Sequence, residues 1–202
     1  MSVVIAVKEK DRILVACDSQ ISYGGSKGTL SADYNKAWYV RDCDYGVMGS
    51  TGSLRALQVV QITPNLVDEL AQYRNEVDFA YVVSELYPRL CNVMEHYKLI
   101  ATDMVPVSLP NDFIFAYKDK AWGISFDGAV EELVDYICIG SGAELARGIM
   151  EITKDLPAIE RIERAISACA DLTLYVDKNI RVYSTAEESE NEDTETNQAK
   201  EE

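Results

Sequence analysis

Hydrophobic residues at the start of the chain form two short runs with a charged break between them. Residues 2–7, apolar after Ser2, and residues 13–17 are rich in Val, Ile and Ala, whereas residues 8–11 are all charged. Such runs, bounded by polar turn residues, are typical of buried strands. We predict a strand pair that begins at the second residue, either as an ordinary edge hairpin or because the terminus itself is the reactive group.

Glycine-rich and polar segments separate the elements that follow. Residues 20–35 are rich in Gly and Ser and predict a loop, and residues 36–40 and 45–48 predict a second strand pair. Apolar residues at helical spacing predict four helices, which cover residues 54–62, about 79–97, 143–152 and about 158–170. Pro88 lies inside the second of these helices and predicts a kink or a break.

Three more β segments complete the predicted order of strands, helices, strands, helices and strands. They are a hairpin at residues 111–128, a strand at 135–140 and a final hairpin at 171–184. Antiparallel hairpins on both sides of paired helices predict an α+β fold in which two sheets pack face to face with helices outside, a four-layer αββα sandwich. The length of 202 residues suits one such domain, at residues 1–185.

The end of the chain is strongly acidic and differs in composition from the rest. Residues 186–202 contain eight acidic residues and one lysine, about half of the formal net charge of −15. This segment has too little apolar surface to offset its ordering entropy, so we predict an acidic disordered tail. An acidic body with an acidic tail disfavours nucleic acid and anionic membrane as partners.

Cysteine and histidine usage narrows the possible chemistry. The five cysteines are scattered without a C-x-x-C pair, which favours reduced thiols in the cytoplasm over a disulfide framework or a zinc site. His96 is the single histidine, which disfavours a His-based catalytic triad and a metal site that needs several histidines. The early charged break also rules out a signal segment at the start, and we predict a cytoplasmic protein.

Four features could belong to one reactive site. Ser2 becomes the terminal residue if Met1 is removed, Asp18 ends the second strand, and Lys36 begins the third. "GVMGSTGS" and "CIGSGAE" are glycine-rich junctions between strand and helix whose N–H groups could face an oxyanion. A terminal serine carries its own base, because its α-amine lies within reach of its hydroxyl. Neither junction has the spacing of a phosphate-binding loop.

In this order the motifs resemble those of the proteasome β-subunit superfamily of N-terminal nucleophile hydrolases, and most closely its bacterial HslV branch. The segments that carry the resemblance are "ILVACDSQ", "GVMGSTGSLRAL" and "ICIGSGAELARG". The resemblance covers about residues 2–184 and stops at the acidic tail.

The resemblance implies a role for each matching residue. Ser2 would supply the nucleophilic Oγ and the amine base; the other implied residues are Lys36 as the cation near that amine, Asp18 as its partner, Gly49 as the oxyanion donor, Ser141 beside the amine and Asp171 as an orienting residue. The resemblance implies no cofactor for the chemistry, but a structural Na⁺ or other monovalent cation on the carbonyls of Ala170 and Thr173. It also implies a homo-oligomer of stacked rings that takes unfolded protein substrates from an AAA+ unfoldase.

Two departures from the family keep alternatives open. The nucleophile is serine where most members have threonine, and the stretch between Asp18 and Lys36 is longer than the family pattern, so Lys27 competes for the lysine role. A peptidase, a catalytically inactive structural subunit and an amidase for small amides are the three candidate functions. Removal or retention of Met1 separates the first from the second.

Overall fold

The computed structural model describes residues 2–23, 26–31, 33–100 and 107–186. Apart from Ala186, the predicted acidic tail lies outside these residues. The strands are β1 (Val4–Glu9), β2 (Arg12–Asp18), β3 (Gln20–Tyr23), β4 (Ser26–Thr29), β5 (Ala37–Tyr39), β6 (Gly46–Gly52), β7 (Asn111–Tyr117), β8 (Lys120–Ile124), β9 (Val130–Glu132), β10 (Tyr136–Ile139) and β11 (Ile180–Ser184). The helices are α1 (Leu54–Ile62), α2 (Glu69–Tyr73), α3 (Phe79–Tyr81), α4 (Tyr87–His96), α5 (Ala143–Ile152) and α6 (Ala158–Leu172).

Two antiparallel sheets form the centre of the molecule. One has the strand order β10-β1-β2-β11 and the other β5-β6-β7-β8-β9. Apolar side chains from both sheets, such as Val4, Val15 and Ile114, form a core between them. Each of these residues is fully buried, as alternation across two facing sheets requires.

Helices cover the outer face of each sheet. Ile5 and Val7 of β1 pack with Met150 of α5 and Ile162 of α6 in a second core. A third core joins the five-stranded sheet to α1–α4. The predicted four-layer αββα sandwich is confirmed.

The segment predicted as a loop at residues 20–35 contains a strand pair. β3 and β4 form a two-stranded antiparallel hairpin of their own. Ser26 and Lys27 in this hairpin are exposed, so the sequence has no buried apolar face there that would reveal a strand.

The final hairpin predicted at residues 171–184 is wrong. Its first part ends α6, and its second part, β11, pairs with β2 instead of folding back on its own neighbour. The apolar residues after α6 gave a strand-like pattern, but Val176 among them is buried against the α5–α6 core.

Pro88 neither ends nor breaks its helix. A π-helical segment, Val82–Leu86, connects α3 to α4, and Pro88 lies in the first turn of α4. In this segment the N–H of Tyr87 bonds to the carbonyl of Val82. This wider turn lets the chain pass a residue that has no N–H to donate.

All five cysteines are free thiols. Among the described residues, no helix has the length and apolar character that a membrane span requires.

Candidate active site

Ser2 is buried two residues before β1, against the junction between β10 and α5. It is 6% exposed. Its backbone N donates to Ser141 Oγ at 3.2 Å, and its carbonyl accepts from the N–H of Gly142 at 3.2 Å. The start of the chain is therefore fixed to the "GSG" motif, which includes the predicted Ser141.

Gly140 permits this close approach. A Cβ at residue 140 would lie 2.3 Å from the Ser2 carbonyl oxygen, and the residue has φ +96°. Both the space and the backbone conformation require glycine.

Asp18 and Lys36 form a buried ion pair that contacts the backbone of Val3, the residue after Ser2. Lys36 Nζ lies 2.7 Å from Asp18 Oδ2, and Asp18 Oδ1 accepts the N–H of Val3 at 3.0 Å. The carboxylate thus contacts both the lysine and the backbone that carries Ser2. This geometry matches the predicted pairing of the two residues.

The environment of Asp18 acts on its pKa in two directions. Burial raises the pKa of the Asp18 carboxyl above its usual value, while Lys36 and the N–H groups of Val3 and Gln20 lower it. Desolvation is the larger effect. The carboxylate is consequently dependent on the Lys36 ammonium for its charge.

Backbone contacts hold Lys36 at the start of the five-stranded sheet. Its N–H donates to Asn35 Oδ1 at 2.8 Å, and its carbonyl accepts the N–H of Ser50 at 2.8 Å. Lys27, the competing lysine, is an exposed residue of β4. The longer loop before Lys36 is absorbed by the β3–β4 hairpin.

A cavity of about 250 Å³ opens at Ser2 and Lys36. The junction of β6 with α1 supplies one wall, with Ser50, Thr51 and Gly52. Its apolar lining comes from Ile21, Leu30, Leu54 and Leu57. An extended chain could place a carbonyl against Ser2 here while one side chain enters the apolar part.

Gly49 lies in the middle of β6, where it is paired with Ala37 and Ile114. A Cβ at this position would lie 2.6 Å from Val4 Cγ1, so the glycine lets the two sheets approach. The cavity wall begins one residue later, at Ser50. Its predicted role as oxyanion donor stays a prediction. The N–H of Ser50 already donates to the Lys36 carbonyl.

Asp171 does not join the cluster around Ser2. Its side chain is exposed and pairs with Lys178 at 2.5 Å. The predicted orienting role near the amine is therefore not supported, because α6 turns this side chain toward solvent.

The end of α6 and the residue that follows it have features that fit a monovalent cation. Thr173 Oγ1 is buried without a hydrogen-bond partner among the described residues. Carbonyl and hydroxyl oxygens are the ligands that such a hard cation prefers. Ala170 and Thr173 are the residues that would hold it, as the resemblance implies. No cluster of His, Cys, Asp or Glu suited to a metal occurs in the described part of the chain.

Two residues that the sequence did not reveal support the site from behind. Asn111 donates to Ser50 Oγ at 2.8 Å and accepts the N–H of Ser53 at 3.0 Å, which ties the cavity wall to β7. Asp177 accepts hydrogen bonds from the N–H and the hydroxyl of Ser19, next to Asp18. Only the Asp-x-Asn turn pattern at Asp177 was visible as a signal in the sequence.

Three solved structures from different organisms share this fold. A BPH from Thiobacillus denitrificans, solved in complex with epoxomicin, is 19% identical with a TM-score of 0.68, and the match covers 90% of this chain and 97% of that one. Eukaryotic HslV from Trypanosoma brucei is 16% identical with a TM-score of 0.60, covering 90% and 98%. Anbu (ancestral beta-subunit) from Yersinia bercovieri is 15% identical with a TM-score of 0.67, covering 90% and 80%.

Identities this low establish a shared fold alone. No curated protein matches the chain. The sequence profile of the proteasome subunit family, however, matches residues 2–185, which is nearly the whole described body. The chain belongs to the proteasome subunit family.

Proposed function

We propose that the chain is an N-terminal nucleophile peptidase, the proteolytic subunit of a self-compartmentalised, ATP-dependent protease in the cytoplasm. One observation carries the proposal. The backbone nitrogen of Ser2 lies beside Ser141, and the next residue along the chain is hydrogen-bonded to the buried Asp18–Lys36 pair, at the edge of a cavity. Removal of Met1 would turn this nitrogen into a free α-amine.

The amine would act as the general base. The reference pKa of an α-amine is about 8, so a useful neutral fraction exists near neutral pH. The Lys36 ammonium would enlarge that fraction by disfavouring a second positive charge nearby. Ser141 Oγ would hold the amine in place, as it holds the backbone nitrogen.

The reaction would proceed in two steps. The amine takes the proton of Ser2 Oγ while the oxygen attacks the substrate carbonyl, and backbone N–H groups of the β6–α1 wall other than that of Ser50 would stabilise the oxyanion. The resulting ammonium then protonates the leaving amine as the peptide C–N bond breaks and an ester forms on Ser2. In the second step the amine takes a proton from water, the hydroxide attacks the ester, and Ser2 Oγ regains its proton.

Assembly and partners form part of the proposal. Proteasome family members form stacked rings, often with ATPase partners. A ring of identical copies of this chain would enclose its active sites and receive unfolded substrate proteins from an AAA+ unfoldase. We propose this arrangement because an exposed cavity of this kind would cleave cellular proteins indiscriminately.

The first test is the intact mass of the protein with and without a peptide epoxyketone, the reagent class of epoxomicin. This reagent needs a hydroxyl and a free amine on the same residue. We expect loss of one methionine and addition of one inhibitor per chain. Ser2→Ala should abolish the addition, while Ser84→Ala, which removes an exposed helix hydroxyl, should not.

Retention of Met1 without labelling would overturn the peptidase proposal and favour the inactive structural subunit. Labelling of Ser2→Ala would instead assign the nucleophile to another residue. Cleavage of small amides by a monomer or dimer, without peptide cleavage, would favour the amidase.

A further inference from the structure

We propose that Asp177 is a positioning residue for the peptidase site, acting through Ser19 to hold the Asp18–Lys36 pair beneath Ser2. This inference rests on the proposed function. It concerns a residue in the segment between α6 and β11, remote in sequence from every catalytic candidate it would serve.

Both carboxylate oxygens of Asp177 contact the same buried residue. Oδ1 accepts the N–H of Ser19 at 3.1 Å, and Oδ2 accepts the Ser19 hydroxyl at 2.9 Å. Asn179 Nδ2 donates to the same hydroxyl at 2.9 Å. Since Ser19 is 0% exposed, water cannot replace these acceptors without local opening.

The neighbours of Ser19 connect this contact to the active site. Gln20 Nε2 donates to the carbonyl of Leu174 at 2.8 Å, which attaches a second residue to the segment after α6. Its backbone N–H donates to Asp18 Oδ2 at 3.1 Å, the oxygen that also binds Lys36. A shift of Ser19 and Gln20 would therefore move the Asp18 carboxylate relative to Lys36.

The charged groups around Asp177 do not explain its placement. Lys27 and Lys178 line a cavity of about 320 Å³ together with Asp177. Lys178, however, pairs with Asp171 at 2.5 Å. Within the described residues, the Asp177 carboxylate accepts hydrogen bonds from Ser19 and Asn179. These contacts favour a positioning role over surface charge pairing.

The test compares Asp177→Asn with Asp127→Asn. Asp127 accepts the N–H of Ala129 at 3.2 Å, as Asp177 accepts that of Asn179 at 3.1 Å, so both substitutions alter the same kind of turn. The measurement is the rate of epoxyketone labelling of the full chain as a function of pH. We expect Asp177→Asn to slow labelling about 10- to 100-fold, a cost known for misplaced catalytic groups, and Asp127→Asn to change it little.

The pH dependence separates positioning from a loss of stability. If Lys36 moves away from the amine, the pKa of the amine rises, and the low-pH limb of the labelling rate moves to higher pH. Asp177→Glu, which keeps the carboxylate, should recover part of the rate. In the double variant with Ser19→Ala, the two effects should be less than additive, because both remove the same link.

Each outcome decides the inference. If the wild-type chain is labelled and Asp177→Asn has the same labelling rate and the same pH limb, this inference is overturned while the proposed function stands. Fully additive effects in the double variant would have the same consequence. A slower rate with an unshifted pH limb reduces Asp177 to a structural residue. A wild-type chain that is never labelled overturns the proposed function and this inference together.

Discussion

The Lys36 ammonium and the Asp18 carboxylate depend on each other for their burial. Both residues are nearly inaccessible, at 3% and 0% exposure. Removing one partner of such a pair leaves an uncompensated charge, whereas removing both leaves a neutral and well-packed site. The same two side chains therefore affect both the stability of the fold and the chemistry proposed for the site.

Lys36→Met should destabilise the protein by about 3–5 kcal/mol at neutral pH, measured by urea unfolding. Burial already raises the pKa of Asp18, and loss of the lysine raises it further. The folded variant therefore holds the Asp18 proton more tightly than the unfolded chain does. This proton stabilises the variant at low pH, and the stabilisation is lost as pH rises through the folded-state pKa of Asp18. The deficit relative to wild type should shrink at low pH.

Two further variants control this prediction. Asp18→Asn combined with Lys36→Met should recover most of the lost stability, because no buried charge remains. Lys154→Met removes an exposed partner of Glu151 and should change stability little. A deficit that is independent of pH, or equal in the double variant, would contradict the ion-pair explanation.

At the scale of elements, the sequence predicts best where periodicity is strong. α5 has the predicted bounds, 143–152, because its apolar residues face one core. The β3–β4 hairpin and α2 were missed because they are short and present few buried apolar side chains. The pairing predicted for β11 was wrong, because no local sequence pattern indicates that its partner is β2, more than 160 residues earlier.

The site residues, too, were predictable where the signal is local and not where it depends on distant parts of the chain. Ser2, Asp18, Lys36 and Ser141 lie next to recognisable motifs at strand ends, and the structure brings them together. The sequence showed only a turn pattern at Asp177, because the contact that gives this residue its significance is with Ser19, 158 residues away in sequence. Asp171 was misplaced because the orientation of a residue in the last turn of a helix depends on how that helix packs.

Two glycines offer a matched test of how the β10–α5 junction positions Ser2. Gly140→Ala introduces a Cβ that would collide with the Ser2 carbonyl and requires a left-handed backbone. We expect it to lower stability by roughly 1–3 kcal/mol and to slow epoxyketone labelling. Gly148→Ala, in the middle of α5 with open space around its Cβ position, should stabilise by about 0.5–1 kcal/mol.

Thermal unfolding and labelling of the two variants would be measured side by side. Equal stability of both would show that the junction relaxes around an added methyl group. Normal labelling of Gly140→Ala would show that Ser2 tolerates displacement of this junction, against the geometry described above.

For the molecule as a whole, charge should control assembly. Each chain has a formal net charge of −15, and its residues 186–202 hold eight acidic residues and one lysine. Packing many such chains into a ring brings like charges together, and salt screens their repulsion over about 10 Å at 0.1 M. The proposed ring should therefore form more completely as ionic strength rises.

Native mass spectrometry after equilibration at two salt concentrations would measure this, with the 22.5 kDa chain as the unit of mass. A chain that ends at Ala186 should assemble at lower salt than the full chain, because the removed residues include eight acidic residues and only one lysine. Its epoxyketone labelling should match that of the full chain, since the family match ends at residue 185. Assembly that weakens with salt would instead indicate attraction between charged faces, and the acidic residues would then stabilise the ring.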